Sequence, residues 1–443
     1  MSWRGRELHF VAIGGAGMSG LALVAHGLGA RVTGSDRAEG PYLERLRDAG
    51  LEPLMGHDAD AVPPGAEVVV STAIPEDNPE LVRARERGQR VIHRGALLAE
   101  LCTAGRLIAV AGTHGKTTTT GMLVHALRQL GADPAFFIGG DLPGAGPDGG
   151  PANAGWGEGG IVVAEADESD ASFLELRPEV AVVTNVELDH HARWSSRAEL
   201  VDAFARFAEP ASGLVVGAAP ELDAVAERGD ASVLRFDESA PGPTEIDLRV
   251  PGRHNLLNAR AALAALELAG QDVAAAAATL ADFPGMVRRQ ELRGHRDGTA
   301  VYDDYAHHPT EVRATLEALR ELRPRRLIAV FQPHLYSRTK ALAPDFGAAL
   351  ATADEVGVLD VYAAREEPVG PLAGISGLDV ARATAERSGG RPVLWLRDRA
   401  TAAAVLPARL GEGDLVVTIG AGNIHELAGD LVTERAGEGD GGG

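Results

Sequence analysis

Two segments of this chain share one pattern, in which an apolar strand-like run leads into a glycine-rich turn and then into a helix-like segment. In the first segment the strand LHFVAI is followed by the turn GGAGMSG, the helix LALVAHGLG and a second strand, RVTGSD. In the second segment the strand RLIAVAG is followed by the loop and helix of THGKTTTTGMLVHALRQLG. Strands and helices that alternate in this way form mostly parallel sheets with helices on both faces. The pattern therefore predicts an α/β fold.

The alternation of strands and helices restarts twice along the 443 residues, which predicts three domains. We predict an N-terminal Rossmann-like domain over residues 1–102 and a central domain with a mostly parallel sheet over residues 103–296. From TAVYDDY onward a C-terminal Rossmann-like domain is predicted over residues 297–443, with a disordered tail from about residue 434. Residues 141–160 are rich in glycine and proline and are expected to form a mobile surface loop.

Charge and composition exclude several classes of protein. The net charge of −21 at pH 7 argues against nucleic acid as a partner, because contact with phosphate backbones requires a basic surface. No apolar run approaches the roughly 20 residues of a membrane span, and the first residues have no signal-peptide layout. A cytoplasmic protein without a membrane partner is expected. The single cysteine, Cys102, excludes a disulfide framework and a multi-cysteine metal site.

The first glycine-rich turn fits the pattern G-x-G-x-x-G between a strand and a helix, and Asp36 ends the next strand. Bare glycines let a diphosphate approach the N-terminus of a helix, where free amides and the helix dipole stabilise negative charge. The candidate diphosphate-binding residues are Gly15, Gly17, Met18, Ser19, Gly20 and Asp36. The obvious ligand is NAD, but the motif indicates a nucleotide diphosphate without deciding which one. A tight turn without a ligand is the alternative.

The second turn, VAGTHGKTTTT, resembles a phosphate-binding loop in which Val110 occupies the position of the usual first glycine. It keeps the groups that matter physically. Glycines allow backbone amides to curl toward phosphate, Lys116 can bridge the β- and γ-phosphate oxygens, and the Thr117 hydroxyl can bind Mg²⁺. A glycine turn without a ligand would not require the Lys-Thr pair. We therefore predict a P-loop-type ATPase domain whose ATP site comprises Gly112, Thr113, His114, Gly115, Lys116, Thr117 and Thr118.

Two further polar residues follow predicted strands of the central domain. Glu165 ends the run IVVAE, and His190 follows the run VVTN. Open α/β sheets bind ligands at the carboxyl ends of their strands, so these two side chains and the Thr117 hydroxyl are candidate Mg²⁺ ligands. The alternative for each of them is a solvated polar residue at a strand end.

The C-terminal domain carries two polar segments that also follow strands. The run YDDYAHHP contains two acids and two histidines, but its spacing matches no common zinc pattern, so hydrogen bonds to a sugar or a substrate are the better interpretation. In FQPHLYSRTK, Arg338 can bind a carboxylate in bidentate fashion. An exposed arginine without a partner is the alternative.

Taken in order, these segments resemble the Mur ligase family of peptidoglycan synthesis, and most of all its members that join L-alanine to UDP-N-acetylmuramate. The resemblance is carried by HFVAIGGAGMSGLA, VAGTHGKTTTT, AEADESDASFL, VVTNVELDH, PGRHNLLNA, YDDYAHHPTE, FQPHLYSRTK and IGAGNI. It implies that the first domain binds the UDP-sugar through the diphosphate motif, so that no NAD is used. The central domain would bind ATP and the C-terminal domain the amino acid.

The resemblance also implies roles for residues and a reaction. ATP would phosphorylate the lactyl carboxylate of UDP-N-acetylmuramate, and the amine of L-alanine would attack the acyl phosphate to give an amide, ADP and phosphate. Mg²⁺, or Mn²⁺ in its place, would be held by Thr117, Glu165 and His190. Asn258, Arg289 and Asp304 would reach the nucleotide, whereas His307, Tyr336 and Arg338 would face the alanine. Lys116, His190 and Arg338 would be the catalytic residues.

The sequence departs from the family pattern at two positions and lacks one further residue. Gln290 follows Arg289 where an aromatic residue is usual, which leaves the local packing of the nucleotide open. Leu335 stands where some relatives have arginine, so that the alanine carboxylate would rest on Arg338 alone. The only lysines are Lys116 and Lys340, so the carbamylated lysine of several sister ligases is not expected.

The sequence is compatible with several other functions. One is the recycling ligase that joins the same UDP-sugar to a preformed peptide. Others are an NAD-dependent oxidoreductase built on the first glycine motif and a nucleotide sensor without catalysis. Both a monomer and a homodimer are compatible with the sequence.

Overall fold

The structure is a computed structural model that describes residues 3–187, 194–237, 246–364 and 366–432. Its strands form three separate sheets of five, seven and six strands. The predicted α/β class with three domains and mostly parallel sheets is confirmed. The chain divides into two compact units, one of residues 1–249 with 256–284 and one of residues 250–255 with 285–443. The predicted domain boundaries stay a prediction, and the tail from about residue 434 lies outside the described residues.

The first sheet is parallel throughout and has the strand order β3-β2-β1-β4-β5. Its strands are β1 Glu7–Val11, β2 Arg31–Asp36, β3 Leu54–Met55, β4 Glu67–Val70 and β5 Val91–His93. Its helices are α1 Ala16–Gly27, α2 Pro41–Asp48, α3 Pro79–Glu86 and α4 Arg94–Cys102. The strand order reverses beside β1, so the turn from β1 into α1 opens onto the crevice where sheets of this type bind ligands.

The second sheet has the order β12-β11-β10-β6-β9-β7-β8 and is parallel except for the pair β7 and β8. Its strands are β6 Arg106–Ala111, β7 Ala135–Leu142, β8 Ala152–Gly155, β9 Ile161–Glu165, β10 Val180–Val183, β11 Gly213–Gly217 and β12 Ser232–Phe236. The helices of this segment of the chain are α5 Lys116–Gln129, α6 Arg197–Ala208, α7 Asp223–Ala226, α8 Arg253–Leu268 and α9 Val273–Thr279. The central strands are almost wholly apolar because helices cover both faces of the sheet.

The prediction of one loop over residues 141–160 is wrong at both strands that the segment contains, whereas its mobility stays a prediction. Strand β7 continues to Leu142, and residues 152–155 form β8, which pairs antiparallel with β7. The turn between them is closed by a hydrogen bond of 2.8 Å from the Gly146 amide to the Gly150 carbonyl. The Arg128 guanidinium also donates to the carbonyl of Ala145 at 2.9 Å. Glycine and proline here shape a β-hairpin, which we call the β7–β8 hairpin and which spans residues 135–155.

The third sheet has the order β13-β14-β18-β15-β16-β17 and is parallel except for β13. Its strands are β13 Glu291–Arg296, β14 Thr299–Asp304, β15 Leu327–Phe331, β16 Glu355–Leu359, β17 Val393–Arg397 and β18 Leu415–Ile419. Its helices are α10 Pro309–Glu321, α11 Tyr336–Leu350, α12 Gly377–Ala385, α13 Arg399–Val405 and α14 His425–Val432. Strand β13 precedes the predicted start of this domain and was not predicted. Its sequence ELRGHR is polar because it forms an exposed sheet edge.

None of the helices in the described ranges is long and apolar enough to cross a membrane.

Candidate active site

The loop between β6 and α5 keeps the shape of a phosphate-binding loop although its first glycine is absent. Gly112 and Gly115 both have positive φ, of 127° and 84°. A Cβ atom on Gly112 would lie 2.1 Å from the Thr184 hydroxyl, and one on Gly115 would lie 2.4 Å from the Asn258 amide oxygen. Val110, at the position of the missing glycine, is a buried residue of β6. The loop therefore begins only after the strand and needs glycine at two positions.

Lys116 is held at the centre of this loop. Its Nζ atom donates to the carbonyls of Gly112 at 2.6 Å and Thr113 at 3.1 Å, and it lies 2.9 Å from a carboxylate oxygen of the buried Glu168. Burial alone would lower the pKa of Lys116, but Glu168 and the neighbouring acids outweigh burial and raise its pKa above the ordinary value. The lysine is therefore charged. Glu168 was not predicted, although it lies in the segment AEADESDASFL that carries the family resemblance.

Two of the three predicted metal ligands lie together. The Thr117 hydroxyl donates to one oxygen of Glu165 at 3.1 Å, and the Gly139 amide donates to the other at 2.7 Å. The strand register places Glu165 opposite Val110, so its side chain lies beside the loop that follows β6. A carboxylate next to a hydroxyl is the kind of oxygen set that suits Mg²⁺ or Mn²⁺. His190, the third predicted ligand, lies outside the described residues.

Other residues of the predicted ATP site hold the loop in place. The Thr113 hydroxyl donates to the Glu187 carbonyl at 3.0 Å, and the His114 amide donates to the Asn185 side chain at 2.9 Å. Thr118 is half-buried in the first turn of α5. Asn258, on α8, lies against Gly115. Because its hydroxyl is bound to Glu187, the Thr113 side chain is directed into the protein.

The first glycine turn is fixed by Asp36. Its carboxylate accepts the amide of Gly14 at 2.8 Å, so it shapes the turn into α1. Gly15 is the residue before the helix, and Gly17 lies in its first turn, where an added Cβ would stand 3.1 Å from the Arg94 guanidinium. The further predicted ligands Met18, Ser19 and Gly20 are buried in α1. The open end of the turn is therefore formed by Gly15 and Gly17.

A cavity of about 220 Å³ within the first unit extends from the first turn of α1 to Glu165, one of the predicted metal ligands. It is lined by the first turn of α1 at Gly17, by the β7–β8 hairpin and by Glu165 and Asp167 at the end of β9. Arg94, also in the lining, lies 3.1 Å from Asp170 and 3.3 Å from Asp167. Arg94 was not predicted, yet it directly follows strand β5 and could have been found by the rule that led to Glu165.

Asp304 and its neighbours form a buried polar cluster in the second unit. The Asp304 carboxylate accepts the amides of Gln290 at 2.9 Å and Ala306 at 2.7 Å. Burial raises the pKa of Asp304 to about 6, although the charge of Arg289 opposes the shift. The side-chain oxygen of Gln290 accepts from Asn255 at 3.1 Å. Gln290, a departure from the family pattern, is therefore accommodated by paired hydrogen bonds.

The predicted amino-acid residues follow strands of the third sheet. His307 lies beyond β14, and its ring centroid is 6.3 Å from that of His334, which follows β15. Tyr336 begins α11, and Arg338 lies in its first turn. Burial, assisted by the charge of Arg338, lowers the pKa of His334 to about 4. His334 was not predicted, although it belongs to the quoted segment FQPH.

Leu335 has an unusual backbone for a leucine. Its φ is 67°, and its amide donates to the carbonyl of Tyr362 at 3.0 Å. Positive φ costs a non-glycine residue roughly 1–2 kcal/mol, so the surrounding structure must hold this conformation. The apolar side chain adds no positive charge beside Arg338.

This fold, with its phosphate loop and adjoining carboxylates, defines a three-domain α/β enzyme of the nucleotide-using class. The family models of the Mur ligase family match the chain in three places: the catalytic domain over residues 7–106, the middle domain over 110–240 and the glutamate ligase domain over 288–422. The chain belongs to the Mur ligase family, as its motifs predicted. The alternative of an NAD-dependent oxidoreductase is therefore wrong.

The following relatives in sequence and in structure are all named as ligases. UDP-N-acetylmuramate–L-alanine ligase of Mycolicibacterium vanbaalenii is 45% identical, over 97% of this chain and 96% of the relative. The ligase of the same name from Rubrobacter xylanophilus is 42% identical, over 96% and 99%. The solved UDP-N-acetylmuramate–alanine ligase of Thermotoga maritima has a TM-score of 0.82 at 29% identity, over 96% of this chain and 98% of that one. A murein peptide ligase of Psychrobacter arcticus has a TM-score of 0.69 at 26% identity, over 98% and 100%.

Proposed function

We propose that this protein is the ATP-dependent ligase that adds L-alanine to UDP-N-acetylmuramate in peptidoglycan precursor synthesis. The reaction passes through an acyl phosphate and gives ADP and phosphate. One observation carries the proposal: a single cavity runs from the N-terminus of α1 to Glu165 and Asp167, beside the phosphate loop. A UDP-sugar bound at α1 can thus extend its lactyl carboxylate toward the phosphoryl group of ATP.

The UDP-sugar binds by its diphosphate at the open end of the first glycine turn. The amides at Gly15 and Gly17 and the positive end of the α1 dipole stabilise the two phosphates. Arg94, which lines the same cavity, adds a cation. Asp36 acts by holding the turn through the Gly14 amide. Met18, Ser19 and Gly20 contribute backbone atoms to the first part of α1.

ATP binds with its phosphates in the loop from Gly112 to Thr118. Lys116 offsets the charge that builds up on the transferred phosphoryl group, and its position inside the loop requires little rearrangement. Glu165 and Thr117, with His190 as a further ligand, would hold a Mg²⁺ ion, which would supply positive charge against the phosphate oxygens. As the family resemblance implies, Asn258, Arg289 and Asp304 act on the nucleotide.

The amino acid is bound by residues of the second unit. Arg338 pairs with the carboxylate of L-alanine in bidentate fashion, and His307 and Tyr336 border the amino-acid site. With Leu335 providing no second cation, Arg338 alone sets the charge that recognises this carboxylate. The free amine then attacks the acyl phosphate, and phosphate leaves.

The use of ATP and of a nucleotide-activated sugar assigns the reaction to the cytoplasm, with these small molecules as partners. The chain acts as a monomer or as a homodimer.

The decisive experiment measures phosphate release from ATP with each substrate omitted in turn. Release should require UDP-N-acetylmuramate, L-alanine and Mg²⁺ together. Release that continues without the sugar would contradict the proposal. Release with the stem tripeptide but none with L-alanine would assign the chain to the recycling reaction instead.

A further inference from the structure

The β7–β8 hairpin contacts the phosphoryl-transfer end of the cavity through its first strand. The Gly139 amide donates to Glu165 at 2.7 Å. At the next residue, Gly140, an added Cβ would stand only 3.1 Å from the methyl group of Thr117. Strand β7 therefore lies directly against the pair of residues proposed to hold the metal.

The second strand of the same hairpin contacts the diphosphate end of the cavity. The Asn153 side chain is buried, and its Nδ2 atom donates to the carbonyl of Ala16, the first residue of α1, at 2.6 Å. This carbonyl belongs to the turn whose amides face the proposed diphosphate. Asn153 thus fixes the orientation of the N-terminus of α1 without belonging to the first sheet.

Gly20 allows the hairpin to approach α1 closely. A Cβ atom on Gly20 would lie 2.8 Å from the Cβ atom of Ala154, which is nearer than two such atoms can come. Gly20 lies in a helix and is buried, so a positive φ does not explain why this position is a glycine. The third glycine of a G-x-G-x-x-G motif serves close packing, and here the packed partner is strand β8.

An ion pair anchors the hairpin a second time. The Arg45 guanidinium on α2 contacts both carboxylate oxygens of Asp141 on β7, at 2.6 and 2.8 Å. The Asp141 carboxylate, as the main cause, raises the pKa of Arg45. Bidentate pairs of this kind fix orientation as well as distance.

From these contacts we infer that the β7–β8 hairpin positions the UDP-sugar against the phosphoryl-transfer centre, with Asn153 and Gly20 as positioning residues. The inference rests on the proposed function. The lactyl carboxylate and the γ-phosphate must meet in line, and a misplacement of about 1 Å can cost roughly 100-fold in rate. One strand of the hairpin contacts Glu165 and the other contacts α1. The hairpin therefore sets the distance between the sugar bound at α1 and the phosphoryl-transfer centre.

The test uses Gly20→Ala, Ala154→Gly and the double variant in the full chain. Gly20→Ala should raise the Kd of UDP-N-acetylmuramate about tenfold or more, because the added methyl group pushes β8 away from α1. Ala154→Gly in the same chain removes the opposing methyl group and should restore the Kd to within about threefold. The Kd for a non-hydrolysable ATP analogue should stay within about twofold throughout.

Gly27→Ala is the matched control, because Gly27 lies in the same helix and nothing stands within 4 Å of its added Cβ. It should bind the UDP-sugar as the unmodified protein does. Asn153→Ala provides a second measurement and should raise KM for the UDP-sugar roughly 3–10-fold, the range for one lost hydrogen bond, with KM for ATP unchanged.

The outcomes separate the inference from the proposed function. An unmodified protein that binds no UDP-N-acetylmuramate overturns the proposed function and the inference together. If the unmodified protein binds it, and the folded double variant binds no better than Gly20→Ala, only the inference is overturned. An equal rise of KM for ATP and for the sugar in Asn153→Ala would likewise show a merely structural role.

Discussion

The Nζ atom of Lys116 and a carboxylate oxygen of Glu168 lie 2.9 Å apart, and the Glu168 side chain is 1% exposed. The two groups form a buried ion pair between the loop that follows β6 and the segment that follows β9. Breaking such a pair by removing one partner typically costs about 3–5 kcal/mol, because the other charge stays buried and uncompensated. The pair therefore holds the lysine in place before any nucleotide binds.

Replacing Lys116 should separate binding from catalysis. Lys116→Ala should bind UDP-N-acetylmuramate normally, because the proposed diphosphate site lies on α1, and should lose at least about 100-fold in kcat. Phosphate release and calorimetric binding of the sugar measure the two effects. Lys340→Ala, at the other lysine and on an exposed part of α11, is the control and should keep full turnover. Retained turnover in Lys116→Ala would contradict the loop assignment.

Neutralising Glu168 should affect both stability and rate. In Glu168→Gln the lysine loses its buried counter-charge, so we expect the free energy of unfolding to fall by about 3 kcal/mol and kcat to fall at least about tenfold. Urea unfolding and phosphate release at saturating substrates measure the changes. The exposed Glu158, replaced in the same way, should change neither quantity.

The conformation of the phosphate loop can be tested at Gly112. Gly112→Ala places a methyl group 2.1 Å from the Thr184 hydroxyl at a φ of 127°, so ATP binding and turnover should be lost. Gly131→Ala shares the positive φ, at 75°, but meets nothing within 4 Å. It should lose only the roughly 1–2 kcal/mol of a strained backbone and keep its activity. Equal losses in both variants would show that steric closeness at Gly112 does not matter.

The metal requirement can be tested with two threonines of α5. Thr117→Val keeps the shape of the side chain but removes the hydroxyl beside Glu165, so the Mg²⁺ concentration for half-maximal rate should rise about tenfold. The hydroxyl of Thr119 is buried and has no hydrogen-bond partner among the described residues. Thr119→Val should therefore leave the Mg²⁺ requirement unchanged and slightly raise stability. A normal Mg²⁺ titration in Thr117→Val would remove Thr117 from the site.

The stability of the second unit should depend on the ionisation of His254. Burial, with the charge of Arg289 assisting, lowers the pKa of His254 from its ordinary value of 6.5 to about 4. The folded state thus favours the neutral ring of His254. The contribution of this ring to the free energy of unfolding is fully present above pH 6.5 and is lost as the pH falls toward 4. Between pH 7 and pH 5 the loss should be about 1–2 kcal/mol.

The comparison that isolates this effect is between the unmodified protein and His254→Asn across that pH range. The variant should lose less stability than the unmodified protein on acidification, measured by urea unfolding at each pH. The pKa of Asp304 is raised to about 6, so this group makes the folded state more stable as the pH falls. Asp304 is present in both proteins and therefore does not account for a difference between them. Parallel pH profiles for the two proteins would contradict the prediction.

Much of the fold and of the site could be predicted because the signals are local. The apolar runs of β6 and β9 and the glycine turns after β1 and β6 are read from adjacent residues, and each lies where the pattern predicted. Because ligands bind at the carboxyl ends of parallel strands, Glu165 was predicted to share a metal site with Thr117, and the two side chains are hydrogen-bonded. Strand β13 and the β7–β8 hairpin escaped prediction, since an edge strand has no apolar pattern and glycine-rich segments suit loops and hairpins equally.

By itself the sequence determined the α/β alternation, the two glycine-rich turns between strand and helix and the family, because each depends on residue order and on backbone conformations that only certain residues adopt. Only the tertiary structure decided the partner of Lys116, since Glu168 lies 52 residues further along the chain. It also decided the role of Gly20, which is set by the approach of Ala154 from another sheet. Contacts between distant segments depend on how sheets and helices pack, and no local pattern in the chain records that packing.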